Sequence, residues 1–131
     1  MLKMIHTMLR VLDLDRSIAF YRNAFGLDVA DRYEMEGFTL AYLRNAGNGF
    51  ELELTTNRGR EDPYPHGEGY GHLAFSTDDL EGEHERLTMA GVAPRDIKSL
   101  AYGGRPLARF FFVSDPDGYQ IEVLERGGRY A

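Results

Sequence analysis

Cysteine is absent from the 131-residue chain, so disulfides, thiolate metal sites and a cysteine nucleophile are excluded. Basic residues are outnumbered: 15 Lys and Arg stand against 21 Asp and Glu, for a formal net charge of −6 and a pI near 5.2. That balance argues against sequence-independent nucleic-acid binding, which relies on a basic surface. No apolar run approaches the roughly 20 residues of a membrane span. The opening Met1-Leu2-Lys3-Met4-Ile5-His6 goes straight into strand-like sequence, without the apolar segment of a signal peptide. A single cytoplasmic domain with neither membrane nor nucleic acid as partner is expected. Hydrophobic residues make up 43% and aromatics 12%, enough for a core without staples.

What is present is written twice. His6, in Ile5-His6-Thr7-Met8-Leu9-Arg10-Val11, is followed by Asp13-Leu14 and a helical pattern. His72, in Gly71-His72-Leu73-Ala74-Phe75-Ser76-Thr77, is followed by Asp79-Leu80 and a second one. The first helix places Ile18, Tyr21 and Phe25 on one face and stops at Gly26. The second uses Leu80, Leu87 and Ala90, starts after Asp78 with Glu81 in capping-box position, and stops at Gly91.

The halves also end alike. Gly49-Phe50-Glu51-Leu52-Glu53-Leu54 matches Gly118-Tyr119-Gln120-Ile121-Glu122-Val123, each preceded by a strand-like segment (Phe38 to Leu43, Leu107 to Val113) and a turn. Asp115-Pro116-Asp117-Gly118 is a strong turn signal, because proline presets φ and glycine accepts a positive one. Each half therefore reads as strand, helix, then about three strands. The expected fold is α+β: a single domain over 1–131 built from two tandem βαβββ modules, 1–57 and 71–126, that form a cup-shaped sheet. A linker over 58–70, long enough to be functional or mobile, joins them. The tail from Arg126 to Ala131 reads as frayed.

Side chains two apart on a strand share a face. His6, Met8 and Arg10 fall together, as do Glu51, Glu53 and Thr55, and Asn57 continues that face if the strand persists. In the second half His72, Ala74 and Ser76 share a face, as do Gln120, Glu122 and Leu124. A His and a Glu thus recur in matching slots of a duplication. If the sheets form one cup, two imidazoles and two carboxylates converge as a sulfur-free site suited to Ni(II), Co(II), Mn(II), Fe(II) or Zn(II). Glu53 is chosen over Glu51 because it aligns with Glu122, whereas Glu51 aligns with Gln120, a poorer ligand. His84, in the charged stretch 81–86, reads as solvated and His66 as a surface loop residue; neither has a counterpart in the other half.

His6-Thr7-Met8-Leu9-Arg10-Val11, with Asp15-Arg16-Ser17-Ile18-Ala19-Phe20-Tyr21 after it, resembles the opening of bacterial glyoxalase I (lactoylglutathione lyase) in the vicinal oxygen chelate superfamily. Glu53-Leu54-Thr55-Thr56-Asn57, Gly69-Tyr70-Gly71-His72 and Asp115-Pro116-Asp117-Gly118-Tyr119-Gln120-Ile121-Glu122 match that family's other signatures. The resemblance implies His6, Glu53, His72 and Glu122 as ligands of a divalent metal, nickel or cobalt before zinc. It implies glutathione as cosubstrate, with Arg10 and Asn57 holding the glutathione part of the substrate, and a homodimer with sites at the subunit interface.

The implied reaction isomerises the methylglyoxal–glutathione hemithioacetal to S-lactoylglutathione, a 2-oxoaldehyde detoxification by proton transfer through a metal-bound enediolate. Glu122 is the implied base, with Glu53 serving the opposite epimer. One departure concerns a lysine that often precedes the Gly-Gly pair: here Tyr102 precedes Gly103-Gly104, and Lys98, Arg105 or Arg109 is left to supply the charge. The rival readings are another superfamily enzyme (epimerase, dioxygenase or thiol transferase) and a drug-binding resistance protein without metal. The epimerase carries Gln where this chain has Glu53, and the dioxygenases and transferases leave no task for that residue.

Overall fold

The computed structural model describes residues 1–131. Contacts divide the chain into two compact units, Met1–Pro65 and His66–Ala131. The first unit runs β1 (His6–Arg10), α1 (Leu14–Phe25), β2 (Asp28–Glu34), β3 (Phe38–Arg44) and β4 (Glu51–Asn57). Its sheet has the order β1-β4-β3-β2, with β1 parallel to β4 and the remaining pairs antiparallel. The second unit repeats the scheme with β5 (Leu73–Thr77), α2 (Leu80–Met89), β6 (Lys98–Tyr102), β7 (Arg105–Ser114) and β8 (Gln120–Glu125), in the order β5-β8-β7-β6. The α+β class and the tandem βαβββ order are those expected from the sequence. No helix is long and apolar enough to cross a membrane.

A parallel pair cannot be joined by a tight turn, so the chain crosses over through a helix, and that helix covers one face of the sheet. Asp13 caps α1 by accepting a hydrogen bond from the Arg16 backbone N–H at 3.1 Å, and Gly26 ends it at φ 65°, a conformation glycine adopts without a Cβ penalty. Leu14, Ile18, Tyr21 and Ala24 of α1 are buried with Leu9, Ala41, Leu43, Leu52 and Leu54 of the strands. Each fully buried leucine contributes about 1.5–3 kcal/mol. In the second unit Leu80 and Leu87 are buried with Phe111, Val113, Ile121 and Val123.

Three local expectations are corrected. The cap of α2 is Asp79, whose carboxylate accepts from the Gly82 N–H at 3.0 Å, and Ala90 lies exposed at the helix end. Capping one residue later starts the helix at Leu80, which is fully buried. The tail is partly fastened: the Arg126 N–H donates to the Thr77 carbonyl at 2.8 Å, its side chain meets Asp78 at 3.0 Å, and Gly128–Tyr130 forms a 3-10 turn.

The connection between the last strand of one unit and the first of the next is ordered piecewise. Arg60 donates to the carbonyls of Asp62 and Pro63 at 2.7 and 3.0 Å and lies 4.3 Å from the centre of the Tyr64 ring. Tyr64 in turn donates to Asn57 Oδ1 at 3.0 Å. On the other side of the division, His66 stacks on Tyr119 with ring centres 4.0 Å apart. Tyr70 donates to the Gln120 carbonyl at 3.2 Å.

Candidate metal centre

Since each helix covers one face of its sheet, the alternate residues of every strand define a second face. In the first unit that face carries His6, Met8 and Arg10 on β1, Glu51, Glu53 and Thr55 on β4, and Leu40 and Tyr42 on β3, as the strand register requires. In the second it carries Ala74 and Ser76 on β5, Gln120, Glu122 and Leu124 on β8, and Phe110, Phe112 and Ser114 on β7. His72 lies one residue before β5, in the slot that His6 fills in β1.

Each unit brings one imidazole to one carboxylate. His6 Nε2 stands 3.3 Å from Glu53 Oε1, and His72 Nε2 stands 3.4 Å from Glu122 Oε1. The carboxylates are largely buried (12% and 15% exposed), whereas the imidazoles are open to approach at 35% and 42%. Glu51 belongs to neither pair; its carboxylate lies 3.9 Å from Arg44 Nε. The choice of Glu53 over Glu51 therefore has a local geometric counterpart: the His6 side chain meets Glu53, diagonal to its register partner Glu51.

Two donors held about 2.1 Å from a shared ion stand roughly 3.0–3.4 Å apart as the angle at the ion opens from a right angle to tetrahedral. Both pairs have that spacing, and their nitrogen–oxygen composition fits a divalent first-row ion. Each unit holds one such pair, and no group of three or more His, Asp or Glu side chains is gathered at either.

Around the first pair the carboxylate is further restrained. Thr55 donates its hydroxyl to Glu53 Oε2 at 3.0 Å, and Tyr42 donates its phenol to the same carboxylate. That hydrogen bond, with burial and the carboxylate charge behind it, pushes the Tyr42 phenol above its ordinary value of 10. Tyr42 also meets His6 edge-on at 5.5 Å, and Phe112 does the same with His72 at 5.2 Å.

The other candidates divide. Arg10 and Asn57 end adjacent strands on the His6–Glu53 face, both exposed. Of the three cations considered for the second half, Lys98 lies opposite Phe110 and so shares a face with Glu122. Arg109 is on the helix side, bonded to Glu81 of α2 and to Glu125 at 2.6 Å, which removes it from that task. Arg105 sits opposite Tyr102, next to the Gly103-Gly104 turn.

Two histidines differ from expectation. His84 is half-buried: its Nε2 meets the Arg95 carbonyl at 2.8 Å and its ring stands edge-on to the buried Phe111 at 5.0 Å. His66 is stacked on Tyr119 rather than loose on the surface. Neither joins a His–Glu pair. Tyr42 and Thr55 escaped the sequence reading as supports of Glu53. Period-two alternation could have found Thr55, whereas Tyr42 required the β3–β4 register.

A family model described as the Glyoxalase/Bleomycin resistance protein/Dioxygenase superfamily matches residues 3–123. The chain is 40% identical over 129 residues to the lactoylglutathione lyase of Haemophilus influenzae, covering 95% of this chain and 93% of that one. It is 39% identical over 130 residues to the lactoylglutathione lyase of Salmonella typhimurium, again covering 95% and 93%. Among solved structures it is similar to the trypanothione-dependent glyoxalase I of Leishmania major, with a TM-score of 0.76, 36% identity and coverage of 95% and 87%. Glyoxalase I from Zea mays matches with a TM-score of 0.83 and 34% identity, over 96% of this chain and 45% of the maize one.

Proposed function

The chain belongs to the Glyoxalase/Bleomycin resistance protein/Dioxygenase superfamily, and on that premise we propose that it is a lactoylglutathione lyase, isomerising the methylglyoxal–glutathione hemithioacetal to S-lactoylglutathione. The observation that carries the reading is the repeated His–Glu pair, His6 with Glu53 and His72 with Glu122, at nearly equal separations. Four donors of this kind set a lyase site apart from one built on two His and one Glu, and each pair here includes a carboxylate.

The reaction moves one proton between adjacent carbons. The C–H bond beside a carbonyl is weakly acidic, and charge builds on two neighbouring oxygens as the proton leaves. A divalent ion held by His6, Glu53, His72 and Glu122, nickel or cobalt in this proposal, supplies Lewis-acid stabilisation of that charge. Glu122 takes the proton from one carbon and returns it to the next. Its surroundings suit a base that must detach and move: Phe112 across the strand, Leu124 two residues on, and Ala74 beside it offer no hydroxyl to hold it. Glu53 serves the opposite epimer.

Each unit holds one His–Glu pair, and in this reading the two kinds of pair come together at the interface of a homodimer. Arg10 and Asn57, which end adjacent strands on the His6–Glu53 face, receive the glutathione part of the substrate in this reading. Lys98 is the cation that takes the place of the lysine absent before Gly103-Gly104.

The test is turnover of the preformed hemithioacetal by chelator-stripped protein, before and after addition of nickel. Activity that appears only with metal is expected. Silence with nickel, cobalt, manganese, iron and zinc alike would overturn the lyase reading. Trypanothione in place of glutathione is the informative second thiol, since the Leishmania major relative is described as dependent on it.

A further inference from the structure

The scaffold around the two carboxylates is repeated, but its chemistry is not. On β4, Glu53 stands directly across from Tyr42 of β3 and beside Met8 of β1, with Thr55 two residues along the same face. On β8, Glu122 stands directly across from Phe112 of β7 and beside Ala74 of β5, with Leu124 two residues along. The aromatic ring is retained at the cross-strand position, and in both units it is edge-on to the histidine of the pair. The two hydroxyls are found on one side only.

Glu53 therefore accepts from Thr55 Oγ1 at 3.0 Å and from the Tyr42 phenol while facing His6 Nε2 at 3.3 Å. The Tyr42 ring meets His6 edge-on at 5.5 Å and Tyr33 edge-on at 6.5 Å. A carboxylate fastened in this way reorients only by breaking two charge-assisted hydrogen bonds, each stronger than a neutral one. Glu122 is free of that constraint and has alanine, not methionine, at its side.

Building on the lyase reading above, we propose that Tyr42, together with Thr55, is a positioning residue that restrains Glu53, so that Glu53 stays a metal ligand while Glu122 acts as the base. The inequality of the two carboxylates is then built into the strand pairing, before substrate arrives. A hydroxyl outside the donor set that orients a ligand is the kind of support whose loss weakens metal binding without unfolding the protein.

The experiment uses metal-stripped full-length protein, titrated with Ni(II) by calorimetry and, separately, loaded with Co(II) and followed by its visible absorption. Tyr42→Phe keeps the ring and its contacts. It is expected to weaken Ni(II) binding by roughly 10-fold and to change the Co(II) band, with an unaltered thermal transition before metal is added. Thr55→Val, nearly isosteric, is expected to act in the same direction. The reciprocal variant Phe112→Tyr places a phenol across from Glu122; it is expected to bind Ni(II) no more weakly than the parent while kcat falls and KM holds. Ni(II) affinity and a Co(II) spectrum unchanged in Tyr42→Phe would overturn this proposal and leave the lyase reading intact. A parent protein that binds neither ion would overturn both.

Discussion

Glu81, in the first turn of α2, accepts a guanidinium hydrogen bond from Arg109 of β7, so the helix start is fastened to the middle of its sheet. Arg109 spans further, to Glu125 on the neighbouring strand at 2.6 Å. One side chain thus ties a helix and two strands together.

This tie makes stability acid-sensitive. The hydrogen bond from Arg109 holds the Glu81 carboxyl below its ordinary value of 4.5. A carboxylate whose folded pKa is depressed stabilises the fold above its unfolded pKa, and that contribution disappears as pH falls through the folded value. The melting temperature is therefore expected to fall on acidification below about pH 4.5, and to fall less steeply in Arg109→Gln. Parallel acid limbs for parent and variant in thermal unfolding monitored by circular dichroism would contradict the assignment.

At the alkaline end the relevant group is Tyr70. Burial, reinforced by the charge of Asp115, pushes its phenol up to about 12. A raised folded pKa favours the neutral phenol, so the stabilisation is complete below the ordinary value of 10 and is lost between 10 and about 12. Ultraviolet titration of the tyrosinate band should show a late component that Tyr70→Phe removes. If the variant leaves the high-pH part of the curve unchanged, Tyr70 is not the late-ionising residue.

The two carboxylates should separate in function when each is made an amide. Glu122→Gln is expected to retain metal but to lose turnover by roughly 10²–10⁴-fold, the usual worth of a positioned base. Glu53→Gln is expected to weaken metal binding before turnover, since it replaces one of the two carboxylate oxygens, which face the Thr55 hydroxyl and His6, by an NH2 group that cannot accept. Metal content by atomic absorption beside steady-state kinetics separates the two outcomes. Full activity in Glu122→Gln would eliminate it as the base.

The repeat was legible because strand alternation has a period of two and helix burial a period of 3.6, and both patterns occur twice in the chain. That periodicity alone puts His6 and Glu53, and likewise His72 and Glu122, on matching faces. What sequence could not supply was the partner of a side chain from a distant segment. His84 reads as solvated because its neighbours along the chain are charged, yet β7 brings Phe111 to its ring and the loop after α2 brings the Arg95 carbonyl. Arg109 was a plausible cation for substrate until its position in β7 turned it to the helix side. Asp78 and Asp79 are chemically equivalent caps, and only the inward direction of Leu80 decides between them.

The Tyr64 hydroxyl on Asn57 Oδ1 has a directional consequence. An amide has one acceptor end and one donor end, and here the acceptor end is engaged by the connecting segment. What the side chain turns away from Tyr64 is its N–H2 group, a pair of donors on a fixed amide plane. A molecule arriving over the end of β4 therefore meets a hydrogen-bond polarity already chosen. Carbonyl and carboxylate oxygens are welcomed there, and ammonium groups are not. If Asn57 receives the glutathione part of the substrate as proposed, its free donors favour the peptide carbonyls and terminal carboxylates of that thiol.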